Sequence, residues 1–82
     1  MCYVYILYSA GLDLYYIGSS ENPELRLAKH LSRHKGFTSK ASDWKIMYTE
    51  AFEDKAGALA RQRQLKSWKN RARLESLIKR SS

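Results

Sequence analysis

Two tyrosine triplets stand near the start of the chain, Tyr3-Val4-Tyr5 and Tyr16-Ile17-Gly18, with ten residues between them. Each lies in a strand-like run, and the second leads straight into a glycine and a helix start. A short hairpin therefore brings two phenols together beside a turn that a phosphate can approach, which is material for a nuclease. The alternative for any single tyrosine is simple sheet packing, because tyrosine is a good strand former. The rest of the sequence has to supply the elements that hold these side chains in place.

Those elements follow from a pattern that switches from period two to period 3.6 and back. Tyr3 to Tyr8 reads as a strand, Ser9 to Asp13 as a loop, and Leu14 to Gly18 as the returning strand of a hairpin. Asn22-Pro23 predicts a helix start, with Asn22 as cap, Pro23 at the first position and Glu24 near the positive end of the dipole. This helix is expected to run to about Arg33 and to end at Lys35-Gly36, with Phe37 to Asp43 a polar connection. Trp44 to Thr49 reads as a third strand. Asp54 can cap a second helix through about Trp68, and Asn70 a third through Ile78. The order is ββαβαα, an α+β fold, with Trp44 and Trp68 expected as core aromatics.

Length and composition narrow the function classes. Eighty-two residues predict one domain over 1–82, near the roughly 70–80 residues below which a single core becomes marginal. Hydrophobic residues make up 44% and aromatics 12%, enough for a packed core, and no run approaches the roughly 18 apolar residues of a membrane span. Cys2 to Leu7 is short and lacks a preceding basic region, so it reads as a strand rather than an export signal, and the expected location is cytoplasmic. A lone cysteine, Cys2, offers no internal disulfide and no cysteine-based zinc site.

The charge of +7 is unevenly spread. Residues 1–59 balance seven basic against seven acidic side chains, whereas residues 60–82 set eight basic ones against Glu75 alone. Such a basic end is either a solvated face or the footprint of a polyanion, and the aromatic content favours nucleic acid over a membrane surface.

The two triplets, followed by Arg26 and His30 and by Ala58-Leu59 with Gln64-Leu65-Lys66-Ser67-Trp68, resemble the GIY-YIG nuclease superfamily. The likeness spans Tyr3 to Ile78 and is strongest to small stand-alone bacterial members, similar to the N-terminal nuclease domain of the excision-repair endonuclease. The first triplet has Tyr-Val where the namesake has Gly-Ile, but Tyr5 is kept. The resemblance implies a small three-stranded antiparallel sheet flanked by helices, and hydrolysis of DNA phosphodiesters with Mg²⁺ or Mn²⁺ and no small-molecule cofactor. It assigns Tyr16 as general base, Tyr5 as the group orienting water or phosphate, and Arg26 as the phosphate clamp. His30, four residues after Arg26 and so on the same helical face, can donate to the phosphate or relay a proton. Gly18 is expected to let the substrate approach the backbone, and Lys66, Lys69, Arg71 and Arg73 to bind substrate.

One position departs from the pattern. Where the family carries its metal-binding glutamate, four residues before Lys66, this chain has Gln62, and a neutral amide oxygen binds a hard divalent cation more weakly than a carboxylate. Ala58, Leu59 and Leu65 place Gln62 on an inward stripe, as a site residue or as a core amide. A weakened natural site, a glutamine replacing glutamate to trap a complex, and substitution by Glu24 or Glu50 all remain open. Two functions follow: a DNA endonuclease cutting one strand per site, or a non-hydrolytic nucleic-acid-binding module on the same fold. A basic protein-interaction domain is a third, weaker reading. With no zinc finger or helix-turn-helix in the sequence, specificity is expected from DNA shape, a protein partner or a homo-oligomer.

Overall fold

The computed structural model describes residues 1–32, 41–68 and 70–80, with the side chains of His30 and Ser32 outside the description. Strand β1 (Cys2–Ser9) is followed by β2 (Leu14–Ser20), helix α1 (Pro23–Ser32), strand β3 (Lys45–Phe52), and helices α2 (Lys55–Ser67) and α3 (Arg71–Arg80). The expected order ββαβαα holds. The sheet is antiparallel with β1 in the centre, in the order β2-β1-β3.

A central strand covered on both faces needs apolar side chains without alternation, and β1 has them in Val4, Tyr5, Ile6 and Leu7, each at most 1% exposed. Tyr5 and Leu7 point to one face, where Trp44, Leu27 and Leu31 from the α1 side complete a core. Cys2, Val4 and Ile6 point to the other, against Ala58 and Leu65 of α2 and Leu74 of α3. Strand β3 serves both cores through a bulge. Ile6 pairs with Tyr48 and Leu7 with Ile46, which leaves Met47 as the extra residue and sends Ile46 to the α1-side core and Tyr48 to the opposite one.

The caps are where the residue types put them. Asn22 Oδ1 accepts from Leu25 N at 3.1 Å, Asp54 Oδ1 from Gly57 N at 2.8 Å, and Asn70 Oδ1 from Ala72 N at 3.0 Å. The strands run further than expected, β2 to Ser20 and β3 to Phe52, because both go on pairing with the start of β1, Ser20 with Tyr3 and Phe52 with Cys2. Arg33, the Lys35-Gly36 stop and most of the Phe37 to Asp43 connection lie outside the described residues.

Two polar staples fix the hairpin. Asp13 at its tip has φ 54°, a left-handed conformation that aspartate tolerates better than most residues. The Asp13 carboxylate accepts from the Tyr8 hydroxyl at 2.6 Å and from Arg71 of α3, while its carbonyl accepts from Arg71 Nη1 at 3.0 Å. At the base of the turn, Asp43 accepts from the fully buried Ser9 hydroxyl at 2.6 Å and from Gly11 N at 2.8 Å.

Candidate active site

The register decides how the tyrosines meet. Tyr5 lies opposite Gly18 and Leu7 opposite Tyr16, so the two phenols are diagonal neighbours on the α1 face of the sheet. A methyl group built on Gly18 would sit 2.6 Å from Tyr5 Oη and 2.7 Å from Cζ. Only a residue without a Cβ lets the Tyr5 ring lie so close to β2. A buried phenol of the same chain lies where a Cβ on Gly18 would stand.

Arg26, exposed on α1, stands beside the Tyr5 hydroxyl, near enough for its charge to act on the phenol. Burial pushes the Tyr5 phenol above its usual range and the Tyr16 phenol beside it adds to the rise, with the Arg26 charge and hydrogen bond offsetting part. Tyr5 is therefore a protonated hydroxyl across the physiological range, able to donate but not to act as a base. Tyr16 is half-buried and meets Trp44 edge-on, with ring centroids 6.4 Å apart. Tyr5, Tyr16, Gly18 and Arg26 thus form one cluster. The side chain of His30 and residue Lys69 lie outside the described residues.

Gln62 is held elsewhere. Its Oε1 accepts from Ser19 Oγ at 2.7 Å, and strand alternation puts Ser19 on the face of β2 opposite to Tyr16 and Gly18. A cleft of about 520 Å³ around the end of β2 joins the two sides, lined by Ser19 and Arg26 together with Glu21, Glu53 and Asp54. Among the described residues no three histidine, cysteine, aspartate or glutamate side chains converge as metal ligands. An amide already hydrogen-bonded to a hydroxyl does not replace them, so the residues around Gln62 do not fit a tightly bound divalent cation. Neither alternative carboxylate joins the cluster. Glu50 lies on the α2 face, 3.1 Å from Arg61 Nε and hydrogen-bonded by the Tyr48 hydroxyl, and Glu24 is exposed in the first turn of α1.

The basic residues divide. Lys66, exposed at the end of α2, lines with Tyr16 and Trp68 a second cleft of about 470 Å³. Arg71 is occupied by Asp13, by Glu75 and by the Tyr15 ring, whose centroid lies 5.1 Å away. These contacts tie the hairpin to α3. Arg73 lies over Trp68, on the far side of the sheet from Tyr5. Sequence reasoning missed Ser19, the partner of Gln62; its only signal is its position directly after the Tyr-Ile-Gly triplet. Glu50 as the shared partner of Arg61 and Tyr48 has no local signal at all.

No helix among the described residues is long and apolar enough to cross a membrane. No curated protein and no solved structure matches the chain. The family model for the GIY-YIG catalytic domain matches residues 1–75. With that match over most of its length, and with both tyrosines set together on one face of a three-stranded sheet, the chain belongs to the GIY-YIG nuclease superfamily.

Proposed function

We propose that this protein is a DNA endonuclease that hydrolyses phosphodiester bonds at the Tyr5–Tyr16–Arg26 cluster. The observation that carries the reading is the Tyr5 phenol, buried against Gly18 and diagonal to Tyr16 across the hairpin, with the exposed Arg26 guanidinium beside it. Arg26 reaches solvent and can take a phosphate oxygen while it holds Tyr5, and its charge offsets the negative charge that grows on the phosphorane. Tyr5, kept protonated, orients the phosphate or the attacking water as a donor. Tyr16, once its own phenolic proton has passed to solvent, takes as phenolate the proton of the water while the water oxygen bonds to phosphorus and the ester oxygen leaves. His30, on the same helix as Arg26, is the group to return a proton to the leaving oxygen.

Mg²⁺ or Mn²⁺ is the cofactor in this reading, and with no three carboxylates converging around Gln62 among the described residues, the cation is expected to be held weakly and turnover to be slow. The Gln62 to Ser19 hydrogen bond supports a second reading, a module that binds DNA without cutting it. Supercoiled and branched DNA incubated with the protein in Mg²⁺ or Mn²⁺ separates the two. Nicked product from the wild type, absent with Tyr16→Phe, is the expected result; DNA binding with no nicking under either metal assigns the chain to the binding module.

A further inference from the structure

On the face of the sheet away from Tyr5, a cleft of about 460 Å³ opens between β3, α2 and α3, with Tyr48 and Trp68 in its walls and Arg61, Gln64, Arg73 and Arg80 around them. Arg73 lies 4.4 Å from the Trp68 ring centroid and Arg61 5.7 Å from it. Arg61 is engaged by Glu50 at 3.1 Å and donates to Gln64 Oε1 at 2.8 Å. Arg73 and Arg80 have no ion-pair partner among the described residues. The cleft thus sets three guanidiniums against a single carboxylate.

We propose that this cleft is a second phosphodiester-backbone site, holding a stretch of nucleic acid other than the one at the Tyr5–Tyr16–Arg26 cluster. A guanidinium resting on an indole keeps its N–H donors in its own plane, free for the two oxygens of a phosphate, and the half-buried ring fixes where that plane lies. Arg73 and Arg80 are seven residues apart on α3, two turns along nearly the same face, about 10 Å by helical rise. That separation is more than one phosphate step along a strand. Arg61 on α2 closes the third side and Glu50 holds it there. The cleft lies across the sheet from Arg26, in a molecule 29 × 27 × 23 Å in extent, so a strand seated in it is not the strand being cut. The proposal rests on DNA as the partner but not on hydrolysis.

The test is titration of a short fluorescein-labelled DNA duplex, by anisotropy, over a range of salt concentrations. Arg73→Ala/Arg80→Ala, at two exposed positions, is expected to fold as the wild type does and to bind at least tenfold more weakly at low salt. The slope of log affinity against log salt should shrink by roughly 0.9 for each phosphate that the variant no longer neutralises. DNA should also change the tryptophan emission of the wild type, and Arg73→Ala/Arg80→Ala should remove most of that change, because Trp68 lies under Arg73. Wild-type affinity and slope in the double variant overturn the proposal and leave the Tyr5 site standing. A wild type that binds no DNA at low salt, or that binds polyglutamate in its place, overturns both. A wild type that binds but does not nick DNA, with the expected slope change in the double variant, removes hydrolysis and upholds this site.

Discussion

Around Tyr5 the polar groups come from β1, β2 and the start of α1, all within the first 26 residues, and their geometry depends on a glycine that lets one ring lie on the neighbouring strand. Around Trp68 they come from β3, α2 and α3, and two arginines lie on an aromatic ring with a carboxylate anchoring one of them, Arg61. The first region is pre-organised by sheet register, which is stiff. The second is assembled by long side chains over a helix elbow, which adapts. A site that must place one phosphate against a phenol needs the former, and a surface that gathers backbone phosphates in any sequence needs only the latter.

The sharpest way to break this comparison is Arg26→Ala. If the α1 face is where chemistry occurs, nicking should fall by about 10²–10³-fold, as when a single oxyanion-stabilising donor is removed. The far-UV circular dichroism should stay unchanged because Arg26 is exposed. Cleavage that survives would move the chemistry off this face.

Gly18→Ala comes next, and it tests register rather than charge. The added Cβ meets a Tyr5 ring that is 1% exposed and has no room to retreat, so overpacking should lower stability by about 1–3 kcal/mol. That is a drop of several degrees or more in the melting temperature of a domain this size. Cleavage should fall further than stability, because the phenol is displaced from Arg26. A variant as stable as the wild type would mean that the ring is not held where it is described.

The contrast between faces also marks what can be read from sequence. Elements whose cause is local are legible: the caps at Asn22, Asp54 and Asn70, the hairpin, and the inward placement of Gln62 between Ala58 and Leu65, both buried. The expectation of one antiparallel three-stranded sheet with helices comes also from the family resemblance, and the structure has it. The illegible parts depend on neighbours distant in sequence. Nothing near Arg71 announces Asp13, 58 residues away, and nothing near Met47 announces a bulge, since its cause is the need of β3 to feed two cores. The packing of Gly18 against Tyr5 is illegible for the same reason, because that neighbour belongs to another strand.

Gln62→Glu probes the seam between the faces. Ser19 can go on donating to a carboxylate oxygen, so without metal the variant should lose no more than about 1 kcal/mol. Mg²⁺ or Mn²⁺ should restore the melting temperature by binding only the folded state, and nicking should rise. Destabilisation with no metal-dependent recovery and no gain in nicking would make position 62 a structural amide of the α2 face.

The smallest effect concerns the staples at either end of the turn. The Arg71 guanidinium, with the Tyr8 hydroxyl, lowers the Asp13 carboxyl to about 2, and the Ser9 hydroxyl and the Gly11 N–H lower that of Asp43. A depressed carboxyl binds fewer protons folded than unfolded, so its contribution is complete above the unfolded value of about 3.9 and is lost as pH falls through the folded one. For Asp13 that window lies between about 4 and about 2. Acid unfolding followed by circular dichroism should therefore be less steep in Asp13→Asn and in Asp43→Asn than in the wild type. Both aspartates are exposed, which limits the effect, but Asp43 holds a fully buried hydroxyl, so its variant should also lose stability at neutral pH. Equal neutral-pH stability in the two variants would show that the base of the hairpin is held by backbone pairing and that the Ser9 bond adds nothing beyond the lock on Arg71.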